Sequence, residues 1–206
     1  MQSAEIELKF AVRDLPQLEQ RIRAAGFHLK TPRTFESNTL YDTDDRSLRG
    51  SGQILRIRTY GGKTIITHKR HPDDEDVRSR FKVRIETESE VEDGDAMAAI
   101  FTQLGYKPAF RYEKFRTEYL DPRCPACCVV TDETPIGNFA ELEGPPQWID
   151  QTLAALKVNP NECLTESYGK LFLAWKHDSG SPAANLTFDE IGSSVAEIRA
   201  PLAVAG

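Results

Sequence analysis

The sequence lacks long hydrophobic runs and an excess of positive charge, and both absences narrow the possible classes of protein. No stretch of the 206 residues approaches ~18 consecutive apolar residues, which excludes a transmembrane helix. The formal net charge of −6 argues against a protein that binds nucleic acid or membranes through a broad basic surface. A small anionic ligand remains compatible, because a local cluster of Arg and Lys can dominate the field inside a pocket. The N-terminus has no apolar leader, so we expect no secretory signal and a cytoplasmic location.

Cysteine is also scarce, and its arrangement gives little support for a metal centre. Cys124 and Cys127 have the CxxC spacing of a metal or redox motif, Cys128 follows directly, and Cys163 lies alone. A zinc site would need a second CxxC or a nearby His, and neither is present. The flanking prolines indicate a hairpin turn. In a cytoplasmic protein we expect these thiols to be reduced.

The composition, 39% hydrophobic and 28% charged, is typical of one globular domain. We assign residues 1–176 to this domain. Residues 177–206 are rich in Ser, Gly, Ala and Pro, and we expect them to form a loosely attached or disordered tail without a chemical role.

The first segment alternates strictly between charged and apolar residues, which predicts a β-strand. Its two faces carry Glu5, Glu7 and Lys9 on one side and Ile6, Leu8 and Phe10 on the other. An ordinary edge strand with a polar outer face would explain this pattern. Two carboxylates about 6–7 Å apart beside an ammonium group would also suit a hard divalent metal next to a polyanion.

The rest of the chain alternates between strand and helix signals. Asp14 and Asp93 are suitable N-caps, Gly26 and Gly105 are suitable stops, and Pro146 can begin a helix. These signals predict helices at about 14–25, 93–104, 146–158 and 165–176, and further strands at about 38–42, 53–60, 63–70, 81–91, 110–120, 127–133 and 139–143.

Gly61-Gly62 is the signal of a two-residue hairpin, and this fixes the register of its two strands. Tyr60 should oppose Lys63, and Arg56 should oppose Thr67. Because opposed residues share a face, two arginines, a threonine and a lysine should point the same way: Arg56, Arg58, Thr67 and Lys69.

Charge on one face and aliphatic residues on the other recur in strand after strand. One interpretation is the solvated side of a one-faced antiparallel sheet. The other is a closed barrel with a polar lumen and an apolar outer face under helices. That lumen would carry Glu5, Glu7, Lys9, Arg56, Arg58, Lys69, Lys82, Arg84, Glu86, Glu88, Lys114, Arg116, Glu141 and Glu143. Arg and Lys would hold a polyanion, and paired carboxylates would hold Mg²⁺ or Mn²⁺.

The order of these motifs resembles the CYTH, or triphosphate tunnel metalloenzyme, superfamily over roughly residues 3–176. The matching motifs are Glu5-x-Glu7-x-Lys9, Tyr41-Asp42-Thr43, Leu55-Arg56-Ile57-Arg58, Thr67-His68-Lys69, Arg84-x-Glu86-x-Glu88, Lys114-x-Arg116 and Asp132-Glu133-x-x-x-Gly137-x-Phe139-x-Glu141-x-Glu143. The resemblance implies an α+β fold, namely an eight-stranded antiparallel closed barrel with a charged lumen, flanked by helices. It also implies a triphosphate substrate and dependence on Mg²⁺ or Mn²⁺.

The chain looks most like the class IV adenylyl cyclase branch, given the sequence Glu7-Leu8-Lys9-Phe10 and a final helix containing Tyr168. That branch implies conversion of ATP to cyclic AMP and pyrophosphate, and by analogy a homodimer. Two alternatives stay open: a triphosphate hydrolase, of the thiamine triphosphatase or inorganic tripolyphosphatase type, and a non-catalytic nucleotide or polyphosphate binder.

The resemblance assigns roles to individual residues. The catalytic candidates are Lys9, Lys69 and Arg84. The candidate phosphate ligands are Arg56, Arg58, Lys69, Lys114 and Arg116. The candidate metal ligands are Glu5, Glu7, Glu141 and Glu143, with Glu86, Glu88 and Asp132 in supporting positions.

Overall fold

The computed structural model describes residues 2–72 and 80–192. Its strands are β1 (Gln2–Val12), β2 (His28–Asp42), β3 (Ile54–Tyr60), β4 (Lys63–Arg70), β5 (Lys82–Val91), β6 (Lys107–Asp121), β7 (Cys124–Thr134), β8 (Gly137–Glu143) and the two-residue β9 (Cys163–Leu164). The helices are α1 (Leu15–Ala24), α2 (Ser47–Gly50), α3 (Gly94–Gln103), α4 (Pro146–Leu156) and α5 (Tyr168–Ser179). None of the helices in these two ranges has the length and apolar character needed to cross a membrane.

The strands form a closed antiparallel barrel. The order runs β5-β4-β3-β2-β6-β7-β8-β1, and an additional pairing of β5 with β1 closes the ring, while β9 adds to β1. In the closing pair Glu5 lies opposite Arg84, and on the other side of β1 Glu7 lies opposite Glu143. The predicted eight-stranded closed barrel flanked by helices is therefore confirmed.

The predicted hairpin register is also confirmed. Tyr60 pairs with Lys63 and Arg56 pairs with Thr67. Gly61 and Gly62 both have positive φ, 58° and 78°, which is the backbone that a two-residue turn between twisted strands requires. Since the loop has only two residues, Arg56 and Thr67 lie on the same face of the barrel wall.

Helices α1 and α3 begin where the sequence predicts, whereas α5 begins at Tyr168, three residues after its predicted start, and α2 was not predicted. The Asp14 carboxylate accepts a hydrogen bond from the Gln17 amide at 2.9 Å, and Asp93 accepts one from the Ala96 amide at 2.8 Å. Each cap satisfies a backbone donor that would otherwise lack an intrahelical acceptor. Helices α1 and α4 then cover the outside of the barrel next to β1 and β8.

The apolar core lies outside the barrel, between its wall and these helices. Leu8 and Phe10 on β1 are 3% and 4% exposed. They pack in one cluster with Leu142 of β8, Ile22 of α1 and Leu153 of α4. Alternation along β1 therefore places its apolar residues under the helices and leaves its charged residues for the lumen.

The segment after α5 differs from the loosely attached tail that its composition suggests. The Leu186 amide donates to the Arg111 carbonyl at 3.0 Å, and the Glu113 amide donates to the Leu186 carbonyl at 2.9 Å. Leu186 is 0% exposed and Ile191 is 2% exposed. These isolated apolar residues bury themselves against the barrel despite their polar surroundings. Residues 193–206 of the predicted tail lie outside the described residues.

The expectation of reduced thiols is wrong for one pair of cysteines. Cys124 and Cys127 form a disulfide, whereas Cys128 and Cys163 are free. Both cysteines lie in β7, where an irregularity in its pairing with β6 brings their Cα atoms to 5.3 Å, which is a separation that a disulfide spans.

Candidate functional site

The lumen contains a cavity of about 350 Å³ whose wall is dominated by charged side chains of both signs. This volume lies within the range of small-molecule sites, ~300–1,000 Å³. The predicted site residues on its wall are Glu5, Glu7, Lys9, Arg56, Arg58, Lys69, Glu86, Glu88, Lys114, Arg116, Glu141 and Glu143.

One side of the lumen is a buried network of cations around a single carboxylate. Lys114 Nζ lies 2.9 Å from Asp132 Oδ2, and Arg116 Nε lies 2.7 Å from Asp132 Oδ1. The Tyr168 hydroxyl of α5 donates to Asp132 Oδ2 at 2.6 Å. The register creates the network, because Arg116 on β6 lies directly opposite Asp132 on β7. We call Lys114, Arg116, Asp132 and Glu36 the cationic wall.

Glu36 of β2 belongs to this wall, although the sequence interpretation did not find it. Its carboxylate is fully buried, accepts a hydrogen bond from Asn38 at 2.9 Å, and lies 3.5 Å from Lys114 Nζ. Burial alone would raise the pKa of Glu36, but Lys114, Arg116 and Arg56 outweigh it and lower the pKa to about 2. The sequence signal for Glu36 was its i, i+2 spacing from Asn38, which places the two side chains on one face of a strand. The predicted strand began at about residue 38, so it did not include Glu36.

The β3–β4 hairpin supplies the next group of cations. Arg56 donates to the Tyr112 hydroxyl at 3.2 Å and to Thr67 Oγ1 at 3.1 Å. Arg58 lies 3.6 Å from Glu88. These contacts hold two guanidinium groups along one side of the cavity, and such planar groups match the oxygens of phosphate.

A different arrangement lies where β1 meets β8. Carboxylate oxygens of Glu5, Glu7 and Glu143 all lie within 4.8 Å of one another, and we call these residues the acidic triad. Two of its members have a lysine partner: Lys69 Nζ lies 2.7 Å from Glu5, and Lys82 Nζ lies 2.6 Å from Glu7.

Glu143 is the member of the triad with the least compensation of its charge. Burial and the neighbouring carboxylate of Glu5 raise the pKa of Glu143 to about 7, although Arg116 opposes the shift. A divalent cation among these oxygens would relieve the repulsion. Carboxylate oxygen is also the donor that Mg²⁺ and Mn²⁺ prefer, so the acidic triad fits such an ion.

Glu141, a predicted metal ligand, is held by cations and lies outside the triad. Its carboxylate lies 2.9 Å from Lys9 Nζ and 2.5 Å from Arg116 Nη2. Burial would raise the pKa of Glu141, but these cations lower it well below its usual range. Lys9 also lies 4.2 Å from the centre of the Tyr168 ring, so it joins α5 to the barrel interior.

Lys69 and Glu86 connect the acidic triad to Arg56 of the β3–β4 hairpin. Lys69 Nζ lies 3.1 Å from Glu86 in addition to its contact with Glu5. Burial and the adjacent carboxylates of Glu5 and Glu88 raise the pKa of Glu86, and Lys69 opposes this. Glu86 thus lies near Lys69 and Arg56, and Glu88 lies near Arg56 and Arg58.

Arg84, a predicted catalytic residue, is not among the described residues that line the cavity. Its guanidinium contacts His71 Nδ1 at 2.5 Å and the Val83 carbonyl at 3.2 Å. The structure therefore does not bring Arg84 to the wall that carries Lys9 and Lys69.

Cys128 lines the cavity, and the sequence interpretation did not identify it as a site residue. Its thiol donates to Glu143 Oε2 at 3.3 Å. Burial and the adjacent Glu143 carboxylate raise the pKa of the Cys128 thiol, so it is protonated and can donate at neutral pH. The CxxC motif had directed attention to Cys124 and Cys127, although strand alternation would have placed Cys128 on the same face as Val130.

A closed antiparallel barrel with paired acids and bases in its lumen defines a tunnel fold. The family model of the CYTH domain matches residues 3–157, and the chain belongs to this family. A Methanocaldococcus jannaschii protein named "Putative adenylate cyclase" is 27% identical over 177 residues, covering 81% of this chain and 97% of the relative.

Solved structures share the fold at lower identity. A Pyrococcus horikoshii protein superposes with a TM-score of 0.69 at 22% identity, covering 83% of this chain and 99% of that one. A Hippeastrum protein superposes with a TM-score of 0.59 at 19% identity, covering 83% of this chain and 96% of that one. The Hippeastrum protein is named a "Putative adenylyl cyclase" and is described as having a dominant triphosphatase activity.

Proposed function

We propose that this protein is a divalent-metal-dependent enzyme that binds a triphosphate in its tunnel and converts ATP to cyclic AMP and pyrophosphate. The observation that carries the proposal is the placement of the acidic triad and several cations on the wall of one 350 Å³ cavity. A metal triphosphate has the matching chemistry, since it presents many anionic oxygens together with one cation.

The phosphates would bind to Arg56, Arg58, Lys69, Lys114 and Arg116. Each of these side chains already lies against a carboxylate or hydroxyl of the wall, which fixes its position before a ligand enters. Catalysis of phosphoryl chemistry depends mainly on such positioned charges and on alignment of the reacting groups. The buried lumen strengthens both effects because little water competes there.

The metal would be held by Glu5, Glu7 and Glu143. When bound, Mg²⁺ or Mn²⁺ would neutralise charge on the phosphate oxygens and on the leaving pyrophosphate. We remove Glu141 from the proposed metal ligands, because Lys9 and Arg116 occupy its two carboxylate oxygens. Its proposed role is to hold Lys9 and Arg116 in place.

In the proposed reaction the ribose 3′-hydroxyl attacks the α-phosphorus, the bond to the bridging oxygen breaks, and pyrophosphate leaves. The residues of the cavity hold the triphosphate so that the hydroxyl, the phosphorus and the leaving oxygen lie in line. Lys69 is the candidate that neutralises charge nearest the acidic triad, since it contacts Glu5. Lys9 is the corresponding candidate beside α5.

Hydrolysis of a triphosphate is the second candidate function. The same cavity would serve it, with water in place of the ribose hydroxyl. The description of the Hippeastrum protein, whose fold this chain shares, favours keeping it. The two reactions would differ in the position of the ligand within the cavity, and the charged residues would be the same for both.

Product analysis separates these candidates. The protein is incubated with ATP, and in parallel with tripolyphosphate, in the presence of either Mg²⁺ or Mn²⁺, and the products are identified by ³¹P NMR and chromatography. Cyclic AMP with pyrophosphate supports the proposal. Orthophosphate from either substrate supports the hydrolase, and binding without turnover under both metals leaves only a non-catalytic binder.

Two variants make the assay specific for the site. Glu7→Gln removes a member of the acidic triad, and we expect it to abolish turnover. Glu90→Gln is the matched control, because Glu90 pairs with Lys63 at the barrel surface and lines no part of the cavity. Turnover that survives in Glu7→Gln at the level of Glu90→Gln would refute the metal assignment.

We further propose a cytoplasmic location, where ATP and Mg²⁺ are both abundant. A homodimer is proposed by analogy with the cyclase branch alone. Sedimentation of the purified protein at micromolar concentration tests it, and a species of monomer mass at all concentrations would contradict it.

A further inference from the structure

We propose that Cys124 and Cys127 form a reversible redox site whose oxidised state holds the acidic triad in its metal-binding arrangement. The chemical partner would be a dithiol reductant. The inference rests on the proposed function for one element, the binding of a divalent metal by the triad.

The disulfide closes an irregularity in strand β7. Leu120 pairs with Cys128, but the next residue of β6, Asp121, pairs with Cys124. Residues 125–127 therefore lie outside the pairing of β6 with β7, as residues of a β-bulge do, and we call them the excursion. The disulfide joins Cys127 of this excursion to Cys124 at its other end.

This cross-link is local, so the fold does not depend on it. The two cysteines are separated by three positions within one strand. A disulfide constrains the unfolded chain least when the loop that it closes is short. From Cys128 opposite Glu143 to Thr134 opposite Gly137, strand β7 pairs with β8 without an irregularity. Reduction should therefore change the local geometry of β7 and leave the barrel closed.

The excursion is connected to the acidic triad in two ways. Cys127 is fully buried, and its sulfur lies so close to Gly144 that a Cβ there would be 3.0 Å from it. Gly144 directly follows Glu143. Cys128, the next residue, pairs with Glu143 and donates its thiol to the Glu143 carboxylate. A shift of the Cys127–Cys128 peptide would therefore move Cys128, which contacts Glu143, and Cys127, which lies against the following residue, Gly144.

The bond is accessible at one of its two sulfurs. Cys124 is partly exposed and residues 125–126 are exposed, whereas Cys127 is buried. A thiolate of the dithiol would attack Cys124 Sγ, and Cys127 would leave and take up a proton. The second thiol of the reductant then attacks the mixed disulfide and releases Cys124 as a thiol. Two electrons pass from the dithiol, which becomes a disulfide.

The experiment measures disulfide state and Mn²⁺ binding separately. The intact protein is oxidised with air, or reduced with dithiothreitol and desalted under nitrogen, and free thiols are counted by alkylation and mass spectrometry. Mn²⁺ affinity is then measured by electron paramagnetic resonance. We expect reduction to weaken Mn²⁺ binding roughly tenfold, as loss of a contact around a metal ligand typically does. Circular dichroism should be the same for both states.

Two variants complete the test. The double variant Cys124→Ser, Cys127→Ser should match the reduced protein and no longer respond to dithiothreitol. Cys163→Ser is the control and should respond as the original protein does, since Cys163 lies on β9 outside the cavity wall.

Each outcome is decisive. Four alkylated thiols after air oxidation would refute the redox site, and equal Mn²⁺ affinity in both states would refute its coupling to the triad. Absence of Mn²⁺ binding in every form would refute the coupling and, unlike equal affinities, would also refute the metal site of the proposed function.

Discussion

The lumen contains two charged regions that differ in how completely their charges are compensated. In the cationic wall, Asp132 accepts hydrogen bonds from Lys114, Arg116 and Tyr168. In the acidic triad, three carboxylates face one another, and Lys69 and Lys82 contact Glu5 and Glu7 respectively. The carboxylates of the cationic wall lie against cations, whereas Glu143 of the triad lies against two other carboxylates.

The pKa values of two glutamates express this difference. Glu36 is buried and Glu143 is partly buried, but the pKa of Glu36 in the cationic wall falls to about 2 and the pKa of Glu143 in the triad rises to about 7. Burial acts in the same direction on both, so the sign of the neighbouring charges decides the outcome. The neighbouring cations thus keep the Glu36 carboxylate ionised, whereas the neighbouring carboxylates favour the protonated form of Glu143.

The largest expected effect is loss of stability when the cationic wall is broken. Asp132→Ala leaves Lys114 and Arg116 buried without their shared carboxylate, which should destabilise the protein by about 3–5 kcal/mol. Asp44→Ala is the control, because Asp44 pairs with Lys107 at the surface and should change stability by less than ~1 kcal/mol. Urea unfolding measures both, and equal effects would refute the contrast between buried and exposed pairs.

Removing a carboxylate from the triad should weaken metal binding, in contrast to the loss of stability expected for the cationic wall. Glu143→Gln should weaken Mn²⁺ binding at least ~100-fold, beyond the effect of losing a contact around a ligand. Stability of the metal-free protein at pH 8 should be unchanged or higher, because repulsion from Glu5 is removed. Calorimetric titration and urea unfolding provide the two readouts. A destabilised variant with intact Mn²⁺ affinity would reverse the roles of the two regions.

The triad should also make the metal-free protein less stable at alkaline pH. The pKa of Glu143, about 7 in the folded state, lies above the ordinary value of 4.5, so the folded state retains this proton more strongly than the unfolded state. Stability should therefore fall as pH rises from about 5 to about 8, by on the order of 1–3 kcal/mol. Unfolding in EDTA measures this, and Glu143→Gln should remove that contribution. A dependence that persists unchanged in Glu143→Gln would contradict the assignment.

The smallest expected effect concerns a single phosphate-binding side chain. Arg58→Lys keeps the charge but loses the planar group near Glu88, so tripolyphosphate affinity should fall roughly tenfold with little change in stability. Arg33→Lys is the matched control, since Arg33 pairs with Glu133 and lies outside the cavity wall. Calorimetry provides the affinities. Equal losses in the two variants would remove Arg58 from the proposed anion site.

Much of the fold was predictable because alternation and turn chemistry act locally. Glu5, Glu7 and Lys9 share a face by the geometry of one strand, and Gly61-Gly62 fixes which residues of two strands meet. Closure of the barrel required the wider set of charged pairs and the family resemblance. The burial of Leu186 was not predictable, because it depends on contacts with a distant strand.

The site was predicted in composition but only partly in grouping. Alternation puts Glu141 and Glu143 on the same face of β8. Glu141 nevertheless contacts Lys9 and Arg116, whereas Glu143 lies beside Glu5 and Glu7. Arg84 shares the strand face of Glu86 but contacts His71. Such choices among neighbours depend on side-chain reach across the barrel, which spacing along one strand does not encode.

The position of a bound metal tests the central claim most directly. Crystals of the protein grown with Mn²⁺ and a non-hydrolysable ATP analogue would be measured at the manganese absorption edge. The account predicts an anomalous peak within about 2.1–2.3 Å of carboxylate oxygens from Glu5, Glu7 and Glu143, with phosphate oxygens as further ligands. A peak among Glu86 and Glu88, or on Glu141, would contradict it.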